Sequence, residues 1–259
     1  MAAAAETLMA VLLLVAFWML AASFGLGAGD IVAELVSATA HDKGQAATER
    51  ATDASLWEVL LSPTTFKWQY GRTPGSTLAF VLTALALYLG GCLLLQRWMR
   101  SRPAYQTGPE LRGFTLVVFV HNLVTSVGSF VMLVGTVHAL VCALTHYPLS
   151  TTGWFGLFCD ESELLLDGTK AGSTLGFWSY VYYLSKFYEM ADTVVLALKK
   201  RPLEFLQMYH HASIVMLCWS WLNGGWTLHW YGMVCNTTVH TFMYYYFAQQ
   251  TLKRRVWWK

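Results

Sequence analysis

Charge is what this sequence lacks. Only 12% of its 259 residues are Asp, Glu, Lys or Arg, against 56% hydrophobic, whereas a soluble domain carries about 25% charged residues. A deficit of that size cannot clothe a water-facing surface, so the composition favours a polytopic membrane protein. The formal net charge of +2 carries no information about a nucleic-acid partner, and none is expected. Cysteine pairing is missing too. Cys92, Cys142, Cys159, Cys218 and Cys235 are scattered, odd in number and without CxxC spacing. Neither a disulfide framework nor a zinc site is expected, and they read as small apolar side chains.

What is present is a succession of apolar runs. Stretches long enough to cross a bilayer, about 20 residues each, occur at roughly 8–27, 77–96, 114–144, 174–198, 203–223 and 227–250. The first, Leu8 to Gly27, is uncharged and gives way to a polar segment reaching about Arg72. It fits a cleaved signal peptide and an uncleaved anchor helix equally, and no basic stretch precedes it. Basic clusters follow three of the other runs: Arg97, Arg100 and Arg102; Lys199, Lys200 and Arg201; Lys253, Arg254 and Arg255. The connection holding Asp160, Glu161, Glu163 and Asp167 is acidic. By the positive-inside rule the basic loops are cytosolic and the acidic one lumenal. The runs at 77–96, 174–198 and 227–250 then head towards the cytosol, and 114–144 and 203–223 away from it. The expected fold is all-α, a polytopic transmembrane helix bundle. Its expected organisation is an apolar segment at 1–29, a polar lumenal segment at 30–76, a transmembrane domain at 77–252 and a basic cytosolic tail at 253–259.

Ionisable groups inside spans are costly and usually functional. Lys186, Glu189 and Asp192 recur every three residues, with Thr193 beside them, which places the three charges along one helical face. Gln207, His210 and His211 share a face of the next run, and Asn236, His240 and Tyr244 one of the last. Such stripes must face one another or a wet cavity rather than lipid. At 1.5 Å per residue from the basic clusters, Asp192 lies about 10 Å deep, His210, His211 and Glu189 about 13–15 Å, and Lys186 and His240 about 20 Å. A lysine stem cannot snorkel that far, so Lys186 needs a partner, and Glu189 one turn away is the obvious one. Blander readings stand beside this one. The histidine pair could be structural, the Lys186–Glu189–Asp192 row an interhelical ion-pair network, and the basic clusters topology determinants. His121, His138, His146 and His229 read as structural or lumenal.

The segment Lys186-Phe-Tyr-Glu189-Met-Ala-Asp192-Thr193, followed by Lys199-Lys200, resembles the KxxExxDT signature of the ELO-type fatty-acid elongases. Gln207-Met-Tyr-His210-His211 is similar to their HxxHH box, and Asn236 to Tyr246 to their NxxxHxxMYxY stretch. His121-Asn122-Leu123 resembles their HN element. The likeness covers about Arg97 to Arg255. Gln207 replaces the first histidine of the box, as in microalgal delta-9 elongases of polyunsaturated acyl chains, and glutamine cannot titrate. The family's seven helices imply five elongase-type spans here and the last two missing beyond Lys253, as in a truncated gene.

The resemblance implies a very-long-chain 3-oxoacyl-CoA synthase of the endoplasmic reticulum membrane. It would condense a long-chain, polyunsaturated acyl-CoA with malonyl-CoA, without metal or other cofactor. The implied catalytic residues are His210 as acyl acceptor, His211 and His240 for protons or enolate charge, and Lys186, Glu189 and Asp192 for positioning. Implied substrate contacts are Gln207, Asn236, Tyr244, Thr193 and Asn122, with Lys199, Lys200, Lys253 and Arg254 at the CoA phosphates. Implied partners are the bilayer, the ketoacyl-CoA reductase, hydroxyacyl-CoA dehydratase and enoyl-CoA reductase of the cycle, and a second copy in a homodimer. Two other readings are a catalytically dead or fragmentary elongase-like protein and a di-iron desaturase or hydroxylase. The latter needs about eight histidines in several boxes; this chain has eight in all but one adjacent pair.

Overall fold

The computed structural model describes residues 63–146, 170–226 and 228–257. The Leu8–Gly27 run, most of the 30–76 segment and the acidic connection at Asp160, Glu161, Glu163 and Asp167 lie outside the described residues. Among the described residues every regular element is helical. They are α1 (Leu78–Met99), α2 (Gly113–His146), α3 (Lys170–Glu189), α4 (Ala191–Leu198), α5 (Phe205–Gly224) and α6 (His229–Thr251). Leu78–Met99 and Gly113–Thr145 are long and apolar enough to cross a membrane by length and composition. Both leave large aliphatic side chains uncovered, among them Leu82, Leu93 and Leu94 on α1 and Val127, Val134 and Val141 on α2. Such faces suit lipid rather than water.

Local sequence sets the helix ends. The Thr77 hydroxyl caps α1 by accepting from the Phe80 amide at 3.3 Å, satisfying one of the orphan donors of the first turn. The ends of α4 and α6 share one geometry. After α4, the Arg201 amide donates to the Leu196 carbonyl and the Lys200 amide to that of Ala197, both at 3.0 Å. After α6, Arg254 donates to Gln249 and Lys253 to Gln250, again at 3.0 Å. This is the Schellman closure, whose pivotal residue is left-handed and usually glycine. Here the pivots are Lys200 at φ 53° and Lys253 at φ 55°. A lysine in that conformation costs about 1–2 kcal/mol.

The α3 helix is the central element, packing against α2, α5 and α6, while α1 lies against α4 and α5 and the longest seam joins α2 to α6. A close approach of α2 and α3 depends on Gly135, where any Cβ would collide with the Trp178 indole. At the end of the bundle remote from the basic loops, the 66–77 segment is clamped onto the helices. Tyr180, Tyr183 and the Trp219 indole donate in turn to the carbonyls of Pro74, Gly75 and Ser76, at 3.0, 2.8 and 2.6 Å. At the same end Ser179 and His229, both buried, join α3 to α6 across 2.9 Å.

The sequence reading expects one helix over 174–198. In the structure the path tightens at Met190, where the Thr193 amide donates to the Met190 carbonyl at 3.2 Å, a spacing of three residues. A tightened turn within a helix often accompanies a functional site, and this one lies between Glu189 and Asp192.

Candidate active site

Three rungs tie α3 and α4 to α6. The Lys186 ammonium donates to the Asn236 side-chain carbonyl at 2.8 Å. The Glu189 carboxylate faces the His240 Nδ1 atom at 3.6 Å. The Tyr244 hydroxyl donates to the Asp192 carboxylate. The strides are three residues on one side and four on the other, and both chains ascend together. The two helices are therefore parallel, as the order of basic loops requires. A three-residue stride rises about 4.5 Å and a four-residue stride about 6 Å, so a regular pair would fall out of step.

The first two rungs form a ring that is open only between Glu189 and His240. Lys186 also donates to Glu189 Oε1 at 2.7 Å. Both side chains are 1% exposed, where an unpaired charge would be prohibitive. An ammonium only donates, so the Asn236 oxygen must face Lys186, and its amide nitrogen must face His240 Nε2, 3.1 Å away. That amide donates, so Nε2 accepts, and the proton of a neutral His240 sits on Nδ1, towards Glu189. The 3.6 Å separation is beyond a hydrogen bond, and His240 Nδ1 has no other partner.

The third rung has company. His121 Nε2 lies 2.8 Å from the other Asp192 oxygen, and its ring lies 5.0 Å from that of Tyr188. His121, which the sequence alone reads as structural or lumenal, thus reaches the site; its place in the HN element is the available signal. Asn122, an expected substrate contact, is buried and donates to Thr251 at 3.3 Å in the α2–α6 seam. Thr193 is buried, and its hydroxyl shares a 2.8 Å hydrogen bond with Tyr88 of α1. Tyr88 was invisible to stripe reasoning because it is the lone aromatic in its stretch of α1.

On α5 the histidine pair divides. His211 is buried and its Nδ1 has no partner. His210 is exposed, its ring centroid 5.7 Å from that of His211. Gln207 is half-buried in the first turn of the helix. The four proposed phosphate contacts collect at the ends of α4 and α6. Lys199 is half-buried, with its ammonium 6.0 Å from the Phe114 ring centre. Burial, reinforced by Arg201, lowers its pKa from the ordinary lysine value. Lys200, Lys253 and Arg254 are exposed, and Lys200 also donates to the Arg100 carbonyl at 3.3 Å. Among the described residues, no group of three or more His, Cys, Asp and Glu side chains is arranged to hold a metal ion.

Residues 73–259 match the ELO family, described as the GNS1/SUR4 family. The chain belongs to this family. It is 35% identical to a putative fatty acid elongase of Dictyostelium discoideum over 79% of this chain and 64% of the relative. It is 35% identical to fatty acid elongase sre1 of the same organism over 75% of this chain and 66% of that one. To very long chain fatty acid elongase 6 of Drosophila melanogaster it is 32% identical, over 59% of this chain and 43% of the relative. The chain thus spans less than two thirds of the length of the first two relatives. No solved structure matches it.

Proposed function

We propose that the chain carries the condensing site of a fatty-acid elongase, joining an acyl-CoA to malonyl-CoA with loss of CO2 to give 3-oxoacyl-CoA and free CoA. One observation carries this reading. Two imidazole nitrogens, His211 Nδ1 and His240 Nδ1, are buried without hydrogen-bond partners beside a satisfied ion pair. Leaving such a group unmade costs about 1–3 kcal/mol, and it is retained where a reactant completes the bond.

The chemistry divides into two steps. The His210 imidazole attacks the acyl thioester; the nitrogen–carbon bond forms, the carbon–sulfur bond breaks, and the imidazole proton passes to the departing CoA thiolate. A neutral imidazole is a competent nucleophile towards a thioester; His210, expected from the sequence to lie in a closed cavity, is exposed, so the bound acyl-CoA must itself exclude water from it. Malonyl-CoA then loses CO2, and the electron pair of the broken bond forms the enolate. The enolate carbon attacks the acyl-imidazole carbonyl, and His210 leaves as it takes up a proton. His211 supplies and receives protons. His240, oriented by Asn236 and flanked by Glu189, donates from Nδ1 to developing oxygen charge. Lys186 and Glu189 hold this arrangement, and Asp192 holds Tyr244. The reaction needs no redox or metal cofactor, because decarboxylation itself generates the carbanion.

The exposed basic ends of α4 and α6 suit the phosphates of CoA, which call for cations at that face. A polyunsaturated acyl chain is the proposed substrate, on the strength of Gln207. The chain is proposed to be a multi-pass protein of the endoplasmic reticulum membrane, with the other three enzymes of the cycle as partners. The test is condensation by the full-length protein in vesicles, supplied with radiolabelled malonyl-CoA and a panel of saturated and polyunsaturated acyl-CoAs. Labelled 3-oxoacyl-CoA should form and should vanish in His210→Ala. Condensation retained in that variant would remove His210 from the nucleophile role.

A further inference from the structure

Neighbouring residues Asp192 and Thr193, at the start of α4, each engage one tyrosine hydroxyl from a different helix. Asp192 accepts from Tyr244 of α6, and Thr193 shares a hydrogen bond with Tyr88 of α1 at 2.8 Å. Each tyrosine then meets one histidine edge to face. The Tyr244 ring lies 5.2 Å from His240 at 70°, and the Tyr88 ring 6.4 Å from His211 at 67°. All of these side chains except Asp192 are buried. The two arms are alike in plan and differ in what else holds the histidine. His240 is already fixed by Asn236. His211 has no partner on Nδ1, and its ring packs against those of Tyr88 on α1 and His210 on its own helix.

We infer that Tyr88 is a positioning residue for His211, braced through its hydroxyl by Thr193, and that α1 thereby contributes to the site. This rests on the condensation reading for its kinetic consequence and on geometry alone for its structural one. Packing is a suitable device here. A hydrogen bond to His211 Nδ1 would fix the ring but occupy the nitrogen that must exchange a proton with substrate. An aromatic edge fixes the ring and leaves the nitrogen open. The brace matters because an unheld tyrosine can pivot about its side-chain torsions, and displacement of a reacting group by about 1 Å can cost about 10²-fold in rate. It also gives Thr193 a role that differs from contact with substrate.

The experiment combines kinetics with an activity-independent readout on the full-length protein. Tyr88→Phe and Thr193→Val each keep the shape and delete one hydroxyl. Each should lower kcat about tenfold with little change in KM, and the double variant should be within about twofold of either single, since both break the same brace. Thr193→Ser should restore the rate. In parallel, nitrogen-15 resonances of the His211 ring should shift in both single variants while those of His229, remote from the brace, stay in place. Unchanged kcat together with unchanged His211 resonances overturns the inference, as do multiplicative losses in the double variant. If the parent protein forms no 3-oxoacyl-CoA at all, the condensation reading falls, and the resonances alone then decide whether Tyr88 positions His211.

Discussion

Removing the Glu189 carboxylate while Lys186 remains would strand an ammonium among packed helices. Glu189→Leu should therefore destabilise the protein by about 3–5 kcal/mol. Lys186→Met combined with Glu189→Leu should cost less than Glu189→Leu alone, because no uncompensated charge remains. Thermal unfolding of the purified full-length protein measures both; a double variant weaker than the single would show that the ion pair itself stabilises the bundle. The left-handed lysines pose a different trade. Lys253→Gly relieves backbone strain while adding chain entropy, a net gain of about 0.5–1 kcal/mol. It should raise the unfolding temperature yet raise KM for the acyl-CoA by removing a cation from the proposed phosphate face. An unchanged KM would leave Lys253 as a topology determinant.

At the scale of elements, the polar stripes were legible because helical periodicity converts spacing into a face. Lys186, Glu189 and Asp192 could be assigned to one side of a helix, and Asn236, His240 and Tyr244 to one side of another, from numbers alone. Which residue meets which could not. The pairing depends on how α3 and α6 are rotated about their axes, and on the tightened turn at Met190, which no proline or glycine announces. His121 and Tyr88 escaped for a related reason: each is a single residue whose partner lies on another helix. The α2–α3 approach makes its own prediction. Gly135→Ala should destabilise by about 1–3 kcal/mol, the cost of overpacking a filled interface. Trp178→Ala introduced with it should recover part of the loss. Equal stability of Gly135→Ala and the parent would mean that the two helices separate freely.

Among the described residues, polar groups from α1 to α6 gather inside a bundle in which α1 and α2 turn aliphatic faces outward. Lysine and arginine clusters recur at the ends of α1, α4 and α6, which by the positive-inside rule would place those ends on one side of a bilayer. The account's central claim is that this polar layer forms new carbon–carbon bonds through an acylated histidine. The most direct measurement is mass spectrometry of the full-length protein quenched after incubation with acyl-CoA alone. The account predicts one added acyl group per chain, carried on the peptide containing His210, and its loss as 3-oxoacyl-CoA when malonyl-CoA is then supplied. An adduct on a cysteine, or product formation from both substrates with no acyl-enzyme at any time, would contradict it.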